Sequence, residues 1–202
     1  CEKELVFIDD CSADGSRALL ESFDFSSKAI FIFHSENKGK GSSVRAGIAA
    51  ASGQFVGIQD ADFEYDMQEI PKVHEPLLLD QADVVYGSRF LNSGISEHRS
   101  YHYLGNRLLT VLSNLFSGLG LSDMETCYKM IDTKIAQSLK LKENRFGFEP
   151  ELTAKLSRVS KIRIYEVGIS YYGRTYEDGK KIGWKDGLRA IYCILKYNLF
   201  IK

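Results

Sequence analysis

The chain has 202 residues, 44% of them hydrophobic and 26% charged, with a formal net charge of -1. This is the balance of a globular chain with one full-sized core, and it excludes a broad electrostatic pull towards nucleic acid. The four cysteines, Cys1, Cys11, Cys127 and Cys193, include no CxxC pair, which argues against a zinc site or disulfide framework and for a reducing, cytoplasmic compartment.

No apolar run approaches the roughly 18 residues needed to span a bilayer, and no signal peptide is visible. The chain starts at Cys1 without a methionine and enters a strand almost at once, so it reads as a chain whose beginning is missing. Residues 4–8 (ELVFI) form a buried strand ending at Asp9 and Asp10. A turn follows, in which Ser12 or Asp14 can cap a helix running to about residue 23. Residues 29–33 (AIFIF) make a second strand, and residues 42–51 a helix closed by Gly53 near its C-terminus.

The third strand lies within residues 54–66, QFVGIQDADFEYD. Its apolar run, Phe55, Val56 and Ile58, is too brief for a packed helix. It stops at three acids, Asp60, Asp62 and Glu64. Asp66 and Glu69 resemble a capping box, while Pro71 and Pro76 predict a short or irregular helix behind it. Residues 83–86 (DVVY) are a fourth strand ending at Gly87-Ser88-Arg89. Strands alternating with helical stretches imply parallel pairing through right-handed crossovers.

After Phe90 the character changes. Residues 104–119 form a long apolar helix, with Leu104, Leu108, Leu112 and Leu115 on one face and Val111 and Phe116 widening it. That face could lie at a membrane surface or pack in the core. Glu149-Pro150 starts another helix, with proline in the favoured first position. Residues 162–169 (IRIYEVGI) alternate like a half-exposed strand. Residues 179–187 (GKKIGWKDG) are a basic, glycine-rich loop with the only tryptophan, and residues 188–199 end the chain as an amphipathic helix.

Several of these strand ends carry chemistry. In an open α/β sheet, ligands bind beyond the carboxyl ends of the strands. Asp60 and Asp62 sit there, and carboxylate oxygens suit Mg2+ or Mn2+ held jointly with substrate phosphates. The same acids could be solvated turn residues. Asp10, closing the first strand, could accept from a ribose hydroxyl or a base N–H, or cap the next helix. Residues 37–45 (NKGKGSSVR) place Lys38, Lys40, glycines and a helix N-terminus together, a setting that attracts phosphate, although the P-loop spacing is absent. Arg89, with Arg99 and Arg107 downstream, offers forks for phosphate oxygens. In residues 123–129 (DMETCYK), an acid could orient or deprotonate an acceptor, or Asp123 could cap and Cys127 and Tyr128 pack. His34, His74, His98 and His102 show no metal-ligand spacing and read as structural.

Taken together, DDCSADGS, NKGKGSSVRAG, QDADFEYD, ADVVYGSRF and DMETCYK, in that order, resemble the inverting family 2 glycosyltransferases, and most of all their dolichyl- or polyprenyl-phosphate mannosyl/glucosyltransferase branch. The resemblance covers nearly the whole chain. It implies a GT-A fold: α/β, Rossmann-like, a mostly parallel sheet with helices on both faces. It also implies a single domain over 1–202, with residues 1–90 for nucleotide-sugar and metal and 91–202 for the acceptor.

By the same resemblance Asp9, Asp10, Lys40 and Asp60 hold the donor, and Asp60, Asp62 and Glu64 the metal, Mg2+ or Mn2+. Arg89 and Arg99 hold the acceptor phosphate, and Asp62 and Asp123 are the catalytic acids. Cys11 stands where the family usually has glycine. The family's first strand and its nucleotide-holding segment are not seen, so the domain reads as N-terminally incomplete. The implied activity is transfer of a hexose from GDP-mannose or UDP-glucose to a polyprenyl or dolichyl phosphate, or to a glycan, with peripheral contact at the cytoplasmic face of a membrane. Two alternatives are a sugar-1-phosphate nucleotidyltransferase and a non-catalytic nucleotide-sugar-binding module.

Overall fold

The computed structural model describes residues 2–25, 28–91, 101–173 and 183–200. The elements, in chain order, begin with strand β1 (Glu4–Asp9), helix α1 (Ser16–Ser22), β2 (Lys28–Phe33), α2 (Lys40–Ala50) and β3 (Phe55–Gly57). A 3-10 turn (Met67–Glu69) leads into α3 (Ile70–Leu78), then β4 (Val84–Ser88) and α4 (Tyr101–Ser117). The second half holds β5 (Lys129–Asp132), α5 (Thr133–Ser138), α6 (Phe148–Leu156), β6 (Ile164–Gly168) and α7 (Trp184–Leu195), which runs on as a π-helical turn, Lys196–Phe200.

Two sheets form among the described residues. β1 and β2 pair in parallel, Val6 opposite Ile30. The other sheet has the order β3-β5-β4-β6. β6 lies parallel to β4, Val84 opposite Ile164, as alternation predicts. β5 was not legible as a strand. It enters antiparallel between β3 and β4, with Ile131 facing Val56 on one side and Val84 on the other. It eludes sequence reading because Lys129-Met-Ile-Asp132 is a four-residue run bracketed by charges. The acidic ends of β1 and β3 therefore belong to different sheets.

β4 lies at the centre of the core. Val84, Val85 and Tyr86 are each fully buried, because alternate side chains face opposite layers. Val84 and Tyr86 join Ile48, Leu121, Ile131, Phe148, Leu152 and Leu156 on one face. Val85 joins Tyr65, Val73, Leu77, Tyr128 and Ile169 on the other. A strand buried on both sides reads as a continuous apolar run, and each such side chain stabilises the fold by about 1.5–3 kcal/mol.

Local expectations are met with adjustments. Asp14 Oδ1 accepts from the Ser16 backbone N–H at 3.0 Å, supporting the start of α1. Asp66 accepts from the Gln68 N–H at 2.9 Å, but Glu69 does not close the capping box; its Oε2 takes the Ser170 N–H at 2.7 Å, tying α3 to the end of β6. α3 is a 3-10 turn followed by nine helical residues, and it holds Pro76 inside. The loop expected over residues 179–187 ends earlier. Gly183 caps α7, Asp186 accepts its N–H at 2.8 Å, and Trp184 is the first helical residue. Trp184 is 73% exposed. Residues 174–182, including Lys180 and Lys181, lie outside the described residues.

Candidate active site

The reversed direction of β5 decides where the chemistry gathers. The carboxyl ends of β3, β4 and β6 share one sheet edge, and an antiparallel strand brings its starting end to that same edge. Asp60, Arg89, Asp123 and Lys129 all follow or precede these ends.

Lys40 links the two sheets. It opens α2, beyond the end of β2, and its Nζ lies 2.7 Å from Asp60 Oδ2 and 3.2 Å from Glu149 Oε1. Cys127 Sγ touches the same ammonium. Burial works against the charge on Lys40, yet the surrounding acids, Glu149 and Asp60 among them, hold its pKa well above the usual value. Burial also opposes ionisation of Asp60, and Lys40 outweighs it, leaving the carboxyl below its ordinary value. Cys127 remains a thiol, its pKa pushed up to about 12 by burial.

Asp9 and Asp10 shape the same region from β1. Asp9 is buried and both its oxygens accept from the Ser12 N–H, at 3.3 and 3.2 Å, closing the turn. Asp10 accepts from His34 Nδ1 at 2.6 Å and from the Lys38 and Gly39 N–H groups at 2.9 and 2.7 Å. Burial raises its pKa, but these hydrogen bonds prevail and keep it a carboxylate. His34 is structural in the sense that it orients Asp10. Gly39 has φ +92°, and a Cβ there would meet Asn144 O at 2.6 Å, so glycine is required where the loop packs against residues 144–145. Cys11 adopts φ +64°, the left-handed conformation that glycine favours.

Asp62 Oδ1 accepts the Glu64 N–H at 3.1 Å, and Glu64 Oε2 accepts the Tyr171 hydroxyl at 3.1 Å. Tyr65 bridges to Tyr171 and takes the Cys127 N–H on its own hydroxyl at 3.2 Å. The 60–66 loop is thereby tied to the segment after β6. Asp60, Asp62 and Glu64 do not converge; among the described residues no group of three or more His, Cys, Asp or Glu is arranged to hold a metal alone. The donor set still fits Mg2+ or Mn2+ chemically, since such ions use one or two carboxylates and complete their shell with phosphates and water.

Arg89 and Asp123 find each other. Arg89 Nε and Nη2 donate to Asp123 Oδ2 and Oδ1 at 2.7 and 2.8 Å, and the Arg89 N–H adds a third bond at 3.1 Å. Asp123 is fully buried and Arg89 nearly so. The guanidinium also lies over Tyr171, 5.1 Å from the ring centre. Arg107 donates to Ser122 O at 3.1 Å. Arg99 lies outside the described residues.

Two further acids lie among these groups: Glu149, and Glu125 from within the DMETCYK motif. Glu149 was legible only as a helix start, yet it is 3% exposed, with one oxygen on Lys40 and Oε2 buried without a partner. No local signal marks it, since the burial of its helix and its contact with Lys40 are both tertiary. Glu125 has its Oε1 buried and unpartnered. Burial, reinforced by Glu149, raises its pKa to about 8, so it is a neutral acid at pH 7.

The sheet and its flanking helices have the GT-A fold, with acids and cations gathered at one edge. The chain belongs to glycosyl transferase family 2, whose family model matches residues 1–140. It is 25% identical over 166 residues to the low-salt glycan biosynthesis hexosyltransferase Agl6 of Haloferax volcanii, covering 81% of this chain and 40% of that protein. It is 26% identical over 180 residues to the dolichyl-phosphate beta-glucosyltransferase ALG5D of Trichomonas vaginalis, covering 83% of this chain and 54% of the relative. The chain thus spans about half the length of these two relatives. Among solved structures, the glucosyl-3-phosphoglycerate synthase of Mycobacterium tuberculosis, in complex with Mn2+, UDP and phosphoglyceric acid, superposes with a TM-score of 0.68 at 18% identity, over 98% of this chain and 68% of that one. That likeness concerns the fold.

Proposed function

We propose that the chain is the catalytic part of an inverting glycosyltransferase that moves a hexose from a nucleotide-sugar, of the GDP-mannose or UDP-glucose type, to a polyprenyl or dolichyl phosphate. The observation that carries this reading is the meeting of the Lys40–Asp60–Glu149 contacts and the Arg89–Asp123 pair at one sheet edge. Two relatives supply the chemical class: one is named a dolichyl-phosphate beta-glucosyltransferase, and the fold neighbour was crystallised with Mn2+ and UDP.

In this reading residues 1–90 serve the donor and residues 91–202 the acceptor. Asp10 and the loop it fixes receive the nucleoside, with Asp9 holding the turn beneath. Asp60 and Asp62 hold the divalent cation, and Glu64 braces their loop through Tyr171. The cation, when bound, offsets charge developing on the leaving diphosphate as a Lewis acid. Lys40 sits beside Asp60 to meet a donor phosphate, with Glu149 retaining it. Arg89 presents its remaining N–H donors to the acceptor phosphate, with Arg99 as a second cation. Both oxygens of Asp123 accept from Arg89, so we assign Asp123 to orienting that guanidinium. A phosphate acceptor is already anionic and needs no strong base. The site of action is the cytoplasmic face of a membrane.

The test is to incubate the chain with Mn2+, labelled donor and a polyprenyl phosphate. Release of nucleoside diphosphate should depend on both metal and acceptor, and Asp62→Ala should abolish it while leaving the thermal transition in place. Given a nucleoside triphosphate and a sugar 1-phosphate in place of donor and acceptor, release of inorganic diphosphate would identify a nucleotidyltransferase.

A further inference from the structure

α4 is amphipathic the wrong way round. Leu104, Leu108, Val111 and Leu115 form a stripe at helical spacing, each between 60% and 75% exposed. With Gly105 they are all the exposed residues of 103–117. The side turned to the protein carries Thr110 and Ser113, 2% and 1% exposed, and Thr110 Oγ1 accepts the Met124 N–H at 3.1 Å. A surface helix normally shows the reverse pattern. The sequence left open whether this apolar face packs inside; in the structure Leu104, Leu108, Val111 and Leu115 do not, while Leu112 and Phe116 are half-buried.

α7 packs against α4 and has a matching outer face. It exposes Trp184, Leu188 and Tyr192, and the turn beyond it exposes Leu199 and Phe200. Cations are interleaved. Lys185 Nζ lies 5.9 Å from the Trp184 ring, and the Arg189 guanidinium 5.0 Å from the Tyr192 ring. Among the described residues of α4, α7 and the turn, no carboxylate is exposed; the one acid, Asp186, is half-buried and holds Gly183. Neither helix is long and apolar enough to cross a membrane.

We propose that α4 and α7 together form a surface that lies on an anionic lipid bilayer, with the leucines, Trp184 and Phe200 in the headgroup–acyl boundary and Lys185 on lipid phosphates. Aliphatic side chains, Trp and Tyr with basic residues between them are the composition of interfacial helices. Charge complementarity selects this occupant over a second copy of the chain. A self-complementary contact would set Lys185 against a cation or leucines, without a counter-charge, whereas anionic headgroups supply one; Arg189 already has its partner in Glu143. The inference deepens the proposed function, because it gives a lipid-phosphate acceptor a surface from which to arrive.

The test uses vesicles of phosphatidylcholine, with and without phosphatidylglycerol, and needs no donor, metal or acceptor. Trp184 is the only tryptophan, so its fluorescence should shift to the blue on anionic vesicles, and the chain should float with them. Leu108→Glu and Leu188→Glu should each weaken binding about tenfold or more. Lys185→Glu should weaken the preference for anionic lipid. All three positions are solvent-facing, and unchanged thermal transitions confirm folding of the variants. No shift and no flotation for the parent chain would overturn the proposal. So would concentration-dependent dimerisation that Leu108→Glu removes. A chain that binds vesicles but transfers no sugar sinks the proposed function alone; one that glycosylates a water-soluble prenyl phosphate without binding vesicles sinks only this inference.

Discussion

Asp123 holds Arg89 by both oxygens, at 2.7 and 2.8 Å, with the aspartate fully buried. Two residues that the motifs place on the acceptor side as independent groups are thus one unit. Asp123→Ala should leave a buried guanidinium unpaired and cost about 3–5 kcal/mol of stability, read by urea unfolding. Arg89→Lys cannot reproduce the fork, so it should lower stability and raise the acceptor KM together. A raised acceptor KM with unchanged stability would show that the pairing is dispensable. A raised donor KM alone would place Arg89 on the other substrate.

Lys40 supplies the positive charge that Asp60 now faces, so a divalent cation must share Asp60 with it. Lys40→Met should lower the melting temperature, because Asp60 and Glu149 lose their common partner. Added Mn2+ should then raise the melting temperature of the variant by more than it raises that of the parent chain. Equal shifts would mean that Lys40 and the metal do not address the same carboxylate.

Glu125 gives a pH signature. Burial first, and Glu149 second, raise its folded pKa from 4.5 to about 8. The folded chain then binds a proton more tightly than the unfolded chain, so this contribution to stability is complete below pH 4.5 and is lost as pH rises through about 8. Glu125→Gln keeps the shape without the titration. Its melting temperature relative to the parent should therefore increase steadily from about pH 5 to about pH 9. A flat difference across that range would remove Glu125 from the titrating groups.

Cys11 is a non-glycine residue at φ +64°. Relief of that conformation is worth about 1–2 kcal/mol, partly offset by the greater freedom of an unfolded glycine. Cys11→Gly should therefore unfold at an equal or slightly higher urea concentration, while Cys11→Val should unfold earlier. A loss of stability in the glycine variant would show that the Sγ contact with Ser35 O at 3.7 Å matters more than the backbone.

Glu143 fastens α7. Its carboxylate accepts from Tyr197 Oη at 2.8 Å, Arg189 Nη2 at 2.7 Å and Lys196 Nζ at 3.3 Å. Glu143→Ala strands the buried Tyr197 hydroxyl and should cost roughly 1–3 kcal/mol. Amide exchange over 184–195 should quicken while that of β4 stays slow. Uniform quickening would mean α7 opens only with the whole domain.

The sequence by itself determined the elements whose signal is local. The β4 run reads as a strand because both faces are apolar; the ordered motifs identified the family, which the match over residues 1–140 bears out. Tertiary structure decided what depends on meetings between distant residues. β5 is a strand only because β3 and β4 offer it hydrogen-bonding edges on both sides, and its reversal carries Asp123 and Lys129 to the edge where Asp60 lies. Glu149 joins Lys40 from over a hundred residues away, a proximity that no local pattern encodes. The leucine face of α4 reads identically whether buried or exposed, since periodicity reports that a face is apolar and not what covers it; packing left that face outside.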